Sequence, residues 1–375
     1  MGFKSTLMTV LLCLAGIVSM NAQPPQGAQG SQEQRGPNQL PDWTQDIIKR
    51  VQIDAYAQGG YTYQHTGGEN TNTFELKRVF LVVAAPITDR WFAMFMHDFS
   101  SEVHEYWTSY RFTNNKALNA RIGQFKNALS IENAMSPTEL EAIEVCSEGV
   151  TYLAGCGSDR LIGTQYGRDL GMEVFGETNN GKFAYRVGIM NGQGINQKDQ
   201  NNAKDFLGKV EFHPTKELTL VASGQVGRGH AVAKSPYSDI ATGTNYTRNR
   251  WTLGFTYKSK PLSLRSEYLE GRDGSNISRG FYMTGVVPIA KHVDAIGSYD
   301  FFNYNINKKM DQHKFILGAQ WWFYKHCRIQ MQYVYKSAYL KDNVLNIMGE
   351  QISMGKSFEK GANHAIMCQL QVRLK

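Results

Sequence analysis

The sequence predicts an all-β protein, with sixteen antiparallel strands closed into a transmembrane barrel. Three observations carry this prediction. Polar and apolar residues alternate with a period of two from Arg50 to the C-terminus, with no helical period of useful length. The connections between the alternating stretches are by turns short and long. No later segment has the roughly 18 consecutive apolar residues of a spanning helix, and the mean hydropathy is −0.40. A barrel is hydrophilic on average because only alternate residues face lipid.

The N-terminus reads as an export signal. Lys4 is followed by the apolar run Leu7 to Val18 and by small or polar residues up to Ala22. The run is short for a membrane anchor, and Leu11 and Leu12 before Cys13 do not suit lipid attachment. Three segments are therefore expected: a signal peptide over 1–22, a flexible Gln/Pro/Gly-rich periplasmic extension over 23–48, and the barrel over 49–375.

Strands are expected near 49–63, 73–85, 91–99, 103–112, 116–126, 164–177, 182–190, 204–213, 217–227, 247–258, 262–270, 279–287, 293–304, 312–323, 327–338 and 362–375. Each is long enough for a tilted crossing, which takes about 9–11 residues. The even-numbered connections are short, such as Thr113 to Asn115 and Tyr324 to His326. Most odd-numbered ones are longer and polar, including Gln64 to Asn72, Arg228 to Tyr246 and Leu340 to Gly361. Short periplasmic turns and long outer loops have this asymmetry, and a secreted β-sandwich has no reason to show it. Phase separates the faces. Trp251, Leu253, Phe255 and Tyr257 oppose Arg250, Thr252 and Thr256, and Ile366, Leu370, Val372 and Leu374 oppose Gln369, Gln371 and Arg373. Trp91, Trp107, Trp321 and Trp322 near strand ends suit aromatic girdles.

The 36 Gly and 19 Tyr against only 10 Pro suit packed strands and interfacial rings. The formal charge of +7 is modest, but concentrated in a lumen it would favour anions. The nine His follow no metal-ligand spacing, and no Gly-rich loop precedes a helix. No outward Ser–His pair marks a rim hydrolase. No metal, cofactor, catalytic residue or nucleic-acid partner is therefore expected.

The third odd connection, about Asn127 to Gly163, is the longest. Its acids Glu132, Glu139, Glu141, Glu144, Glu148 and Asp159 are countered in sign only by Arg160. By phase, Arg121, Arg186, Lys209, Arg250, Arg265, Arg328 and Arg373 point inward, accompanied by Glu173, Glu211 and Glu267. An acidic loop opposite a basic wall would place a transverse field across a pore. Cys146 and Cys156 in this loop are either a disulfide in an oxidising compartment or two free thiols. Cys327 and Cys368 are expected as small lipid-facing residues.

The succession Gly123-Gln124-Phe125-Lys126, Ser130-Ile131-Glu132, Gly167-Arg168-Asp169-Leu170-Gly171, Phe175-Gly176, Asn191-Gly192 and Leu264-Arg265-Ser266-Glu267-Tyr268 resembles the phosphate-selective porins O and P, in the form common in Bacteroidetes. The resemblance runs from about Arg50 to the C-terminus. It implies a 16-stranded, homotrimeric outer-membrane barrel whose third extracellular loop folds inward, and an arginine ladder guiding phosphate or polyphosphate to a lysine on that loop. Arg50 and the pair Lys77-Arg78 match ladder positions, Glu132 matches the loop acid and Ser136 a phosphate-contacting serine. Asn133 stands where the phosphate-binding lysine would be, and Ile143-Glu144-Val145-Cys146 replaces Ile-Glu-Arg-Ser.

These readings converge on a passive porin of the Gram-negative outer membrane, set among lipid and lipopolysaccharide, that passes small hydrophilic solutes with some preference for anions. Arg50, Lys77, Arg78, Arg121, Lys126, Arg186, Arg250 and Arg265 are the expected anion-guiding residues, and Glu132, Asn133, Ser136 and Glu144 the constriction. The alternative is a structural or adhesive barrel with a plugged lumen.

Overall fold

The computed structural model describes residues 49–159, 161–347 and 350–374. The expected signal peptide and N-terminal extension lie outside these. Sixteen long strands follow in order: β1 Gln52–Thr66, β2 Glu69–Pro86, β3 Trp91–Asp98, β4 Val103–Arg111, β5 Asn119–Lys126, β6 Arg168–Glu177, β7 Phe183–Met190, β8 Asp205–Phe212, β9 Leu218–His230, β10 Asn245–Lys258, β11 Ser263–Asp273, β12 Asn276–Ala290, β13 Val293–Asn303, β14 Asp311–Tyr324, β15 Cys327–Ile347 and β16 Glu350–Leu374. Each pairs antiparallel with its chain neighbours. β1 also pairs with β16, Ala55 opposite Leu374 and Thr66 opposite Asn363, so the sheet closes and leaves no free edge.

Alternation sorts the two faces as the sequence predicts. On β15, Gln330 is 0% exposed and Met331 60%. Arg328 and Gln332 share the buried face with Gln330, and Ile329 and Tyr333 the exposed one. The inner face is therefore polar and the outer face an apolar surface suited to lipid. Trp91 and Trp321 lie on the outside. Trp107 and Trp322 do not serve a girdle: Trp107 donates to Glu105, and Trp322 donates to Asp294 beneath the Arg328 guanidinium. Cys327 is buried with its sulfur accepting the Arg373 N–H, while Cys368 stands opposite Met331.

One end of the barrel has only short connections; the long ones all lie at the other, which by the usual asymmetry is the outer end. Two expected outer loops are instead strand. β1 and β2 continue to a turn at Gly67-Gly68, both with positive φ. β15 and β16 run 21 and 25 residues, so most of the segment from Leu340 to Gly361 is a projecting hairpin. Its polar side chains read as loop, but strands above the membrane rim face water on both sides and need no apolar alternation.

The third outer connection, residues 127–167, holds two short helices, α1 Ile131–Ala134 and α2 Glu148–Leu153, and a two-residue ribbon pairing Ser158–Asp159 with Gly163–Thr164.

Candidate functional site

The 127–167 segment is the only long connection that is buried along most of its length among the described residues, and it is bonded throughout to inner-face side chains. Its apolar residues Leu129, Leu140, Val150 and Leu153 pack on Leu269, Tyr282, Phe302 and Tyr304. Ile143 packs separately on Ile316, Val334 and Met367. These wall residues sit in the inward phase of β11 to β16, where the neighbouring positions are polar. They form two apolar docking patches on an otherwise hydrophilic lining.

Hydrogen bonds fix the segment between the patches. At α1, Ser130 Oγ donates to Glu267 at 2.7 Å and the Ile131 N–H to the same carboxylate at 3.1 Å. Arg328 donates to the Leu140 carbonyl at 2.7 Å and Gln330 to that of Glu141 at 2.8 Å. Gln332 accepts the Ile143 N–H at 3.0 Å. The first N–H of α2, from Glu148, donates to Asp300 at 2.6 Å. Cys146 and Cys156 are joined by a disulfide that brackets α2. Val145, just before it, has φ +85°, a left-handed conformation that a β-branched residue rarely adopts.

The loop acids do not face a basic wall across water; they touch it. Arg265 bonds Glu132 at 3.1 Å and Glu141 at 2.6 Å. Lys314 reaches Glu144, Glu148 and Asp300 at 3.6, 3.1 and 3.3 Å. Lys336 bonds Glu144 and Glu148 at 3.0 and 3.1 Å. Burial alone would raise the Glu144 and Glu148 carboxyls; the two lysines outweigh it and hold both below the usual glutamate range. The expected field across a gap is thus corrected. A desolvated carboxylate gains more from a direct cation than from one across solvent.

The expected anion-guiding residues fall into three groups. Arg50 lies before β1, exposed, with Asp89 of the β2–β3 turn at 3.6 Å, so it does not line the lumen. Lys77 is the extra residue of a bulge opposite Gln58 and Gly59 and pairs with Glu75 at 3.2 Å. Arg250, its side chain 0% exposed, is locked to Asp273 at 2.7 Å and to the Leu153 carbonyl at 3.3 Å. Arg250 and Arg265 are both anchors; Arg250 is out of a solute's reach, while Arg265 also borders the cavity below the segment. Arg121 and Arg186 share Glu173 at 3.0 and 2.9 Å, and Arg121 also stacks on Phe125.

Arg78 and Lys126 differ. Arg78 donates to Gln58 at 2.9 Å, and Lys126 donates to the Met135 carbonyl. Neither forms an ion pair among the described residues. Both line a cavity of about 150 Å³ between loop and wall, with His104, Tyr166, Arg168, Glu132 and Glu144 among its other walls. Glu132 and Glu144 are already ion-paired, to Arg265 and to Lys314 and Lys336, and Arg168 is paired with Glu105 at 2.9 Å. Arg78 and Lys126 are thus the cations of this cavity without an ion-pair partner among the described residues. Below it a second cavity of about 570 Å³ opens, bordered by Glu139, Arg265, His326 and Arg373. Above it one of about 300 Å³ is lined by Glu148, Tyr304 and Lys336.

Asn133 and Ser136 are structural. The buried Asn133 amide donates to Asn127 at 2.9 Å and to the Gly167 carbonyl at 3.1 Å, tying the two ends of the segment together. Ser136 exchanges a bond with Thr138 at 2.9 Å in the turn after α1. Sequence reasoning overlooked Lys314, Lys336 and His104. The two lysines were visible as inward-phase cations on β14 and β15; nothing in the sequence marks His104.

A family model described as phosphate-selective porin O and P matches residues 49–277, more than half of the chain. The chain belongs to the phosphate-selective porin O and P family. This porin is accordingly an outer-membrane channel protein for small solutes. No curated protein matches it. Among solved structures, the anion-selective porin from Comamonas acidovorans is 12% identical with a TM-score of 0.62, over 86% of this chain and 99% of that one. OmpF of Salmonella typhi, in complex with daunomycin, is 11% identical with a TM-score of 0.59, over 86% and 97%. The trimer form of OmpT from Vibrio cholerae is 15% identical with a TM-score of 0.56, over 86% and 99%. At these identities the likeness is one of fold.

Proposed function

We propose that this porin is a passive, weakly anion-preferring pore whose narrowest part is the cavity between the 127–167 segment and the wall at β2, β4 and β5. The observation that carries the reading is the unmatched pair of cations Arg78 and Lys126, facing loop acids that already have other cation partners. Two cations without ion-pair partners in a confined, low-dielectric passage attract anions and repel cations without a tight site. The family name and the anion-selective neighbour point the same way. With Asn133 holding the loop base, no lysine offers phosphate a strong ligand there, so phosphate passes as one small anion among others. The reading needs no cofactor and no catalytic group. It includes export by the N-terminal 22 residues and assembly as a homotrimer, as in the OmpT neighbour.

The test is single-channel recording in planar bilayers under a KCl gradient. An anion-signed reversal potential that fades at high salt, as screening requires, supports the reading. Arg78→Glu and Lys126→Glu should each move it toward cations. Cation preference of the unaltered protein would remove the anion claim. A second reading, a plugged structural or adhesive barrel, is favoured by the small size of the central cavity and the density of bonds holding the segment. It requires that no conductance be seen.

A further inference from the structure

On the outer face, the strand register stacks side chains in rows. One row near the outer end reads Phe206, Val226, Asn249, Arg272 across β8 to β11. The next row toward the membrane centre reads Gly208, Gly224, Trp251, Glu270, Arg279. Two glycines thus stand directly opposite each other in adjacent strands. A Cβ on Gly208 would meet nothing within 4 Å, and one on Gly224 only a backbone oxygen at 3.5 Å. Their shared recess opens into a groove of about 710 Å³ bounded by Phe206, Val226 and Trp251. Glycine inside a strand weakens it, and a facing pair leaves room for another group to approach the backbone closely.

The outer end of the groove is cationic. Arg272 borders it, Arg228 is exposed two residues beyond Val226 on the same strand, and Arg279 is exposed one row further in, across from Glu270. None of the three forms an ion pair among the described residues. Glu270, the acid between them, is taken up by Trp251 Nε1 at 3.4 Å and the Tyr268 hydroxyl at 3.0 Å. An apolar slot in the membrane zone, an indole at its border and unpaired guanidinium groups at headgroup level match one chemistry. That is an acyl chain carrying a phosphorylated head.

We propose that the Gly208–Gly224 groove seats an acyl chain of a phosphorylated glycolipid of the outer leaflet, lipopolysaccharide, with its phosphates on Arg272, Arg279 and Arg228. The site is independent of the pore. It rests on the outer-membrane placement of the barrel but not on its ion preference.

The molecule supplies its own control. Gly285 and Gly297 form a second facing pair on the outer face, flanked by Leu264 and Leu317 and with no arginine in its row. Native mass spectrometry of the full-chain protein in detergent, offered lipid A bisphosphate, dephosphorylated lipid A or phosphatidylethanolamine, tests the assignment. The protein should retain the bisphosphate roughly tenfold better than its dephosphorylated form, the scale of losing one charge-assisted hydrogen bond. Arg272→Ala with Arg279→Ala should abolish that preference. Gly208→Leu should weaken both lipid A forms, and Gly297→Leu neither, all three variants with unchanged conductance. Equal retention by every variant would overturn the proposal. So would a Gly208→Leu change in oligomeric state with lipid retention intact, because the groove would then seat a neighbouring protomer.

Discussion

Removing the Arg265 guanidinium is the sharpest probe of how the inner segment is held. Its four hydrogen bonds divide between Glu132, at 3.3 and 3.1 Å, and Glu141, at 3.3 and 2.6 Å. Arg265→Met keeps the length of the side chain and deletes the charge. Glu141 is more exposed than Glu132 and can rehydrate. Glu132 is 3% exposed and would keep only the Ser147 N–H at 2.7 Å. Breaking a buried ion pair from one side costs about 3–5 kcal/mol. The Ser147 bond, worth about 1.5 kcal/mol to a charged acceptor, moves the expectation to the low end, about 3 kcal/mol. Glu132→Gln in the same background should restore most of it, giving a coupling of about 2 kcal/mol. Urea unfolding of the folded barrel in lipid vesicles, followed by tryptophan fluorescence for the four variants of the cycle, measures this. The same change leaves two carboxylates uncompensated near Arg78 and Lys126, so the reversal potential should move toward cations. Single effects that add to within about 0.5 kcal/mol would refute the pairing as the anchor.

Other perturbations have separable outcomes. Arg250→Ala removes the guanidinium from the buried Asp273 and should destabilise the barrel in the same unfolding assay by about 3 kcal/mol, while leaving ion selectivity unchanged; a selectivity shift would return Arg250 to the pore lining. Glu144 and Glu148 are held below the ordinary glutamate value of about 4.3, so their anchoring is complete above that pH and is lost as pH falls through their depressed values. The difference in conductance between the wild type and the Glu144→Gln/Glu148→Gln variant should therefore stay constant from pH 7 down to about pH 5, and a change in that difference over this range would contradict the pairing with Lys314 and Lys336. Replacing both Cys146 and Cys156 by Ser frees the bracket around α2. A closed loop of this size contributes about 2–4 kcal/mol, which should appear as noisier open-channel current and faster proteolysis within the segment. Val145→Gly removes a strained side chain and should stabilise the segment by roughly 1 kcal/mol, read as slower proteolysis there.

The strands were legible because lipid enforces alternation: Trp251, Leu253 and Tyr257 have to face out if Arg250 and Thr252 face in. Above the membrane that constraint ends, and the β15–β16 hairpin around Val344 and Ile352 was read as loop for that reason. The docking patches were also on display, as Leu269, Tyr282, Phe302, Ile316 and Val334 breaking the polar phase of the inner face. What no pattern could supply was partnership. Phase puts Arg265 and Arg250 indoors alongside Arg121, but only the packed lumen shows that Glu132 and Asp273 occupy the first two. The bulge that displaces Lys77 likewise depends on register against β1.

The segment's anchors carry a consequence for how the molecule is made. Ser130 meets Glu267 across 137 positions of chain, Glu141 meets Gln330 across 189, and Glu144 meets Lys336 across 192. Every one of these partners lies C-terminal to the segment itself. Contacts so distant in sequence are late and slow to form. The segment therefore has no resting place until the last third of the wall stands, and its docking is a record that the cylinder has been completed.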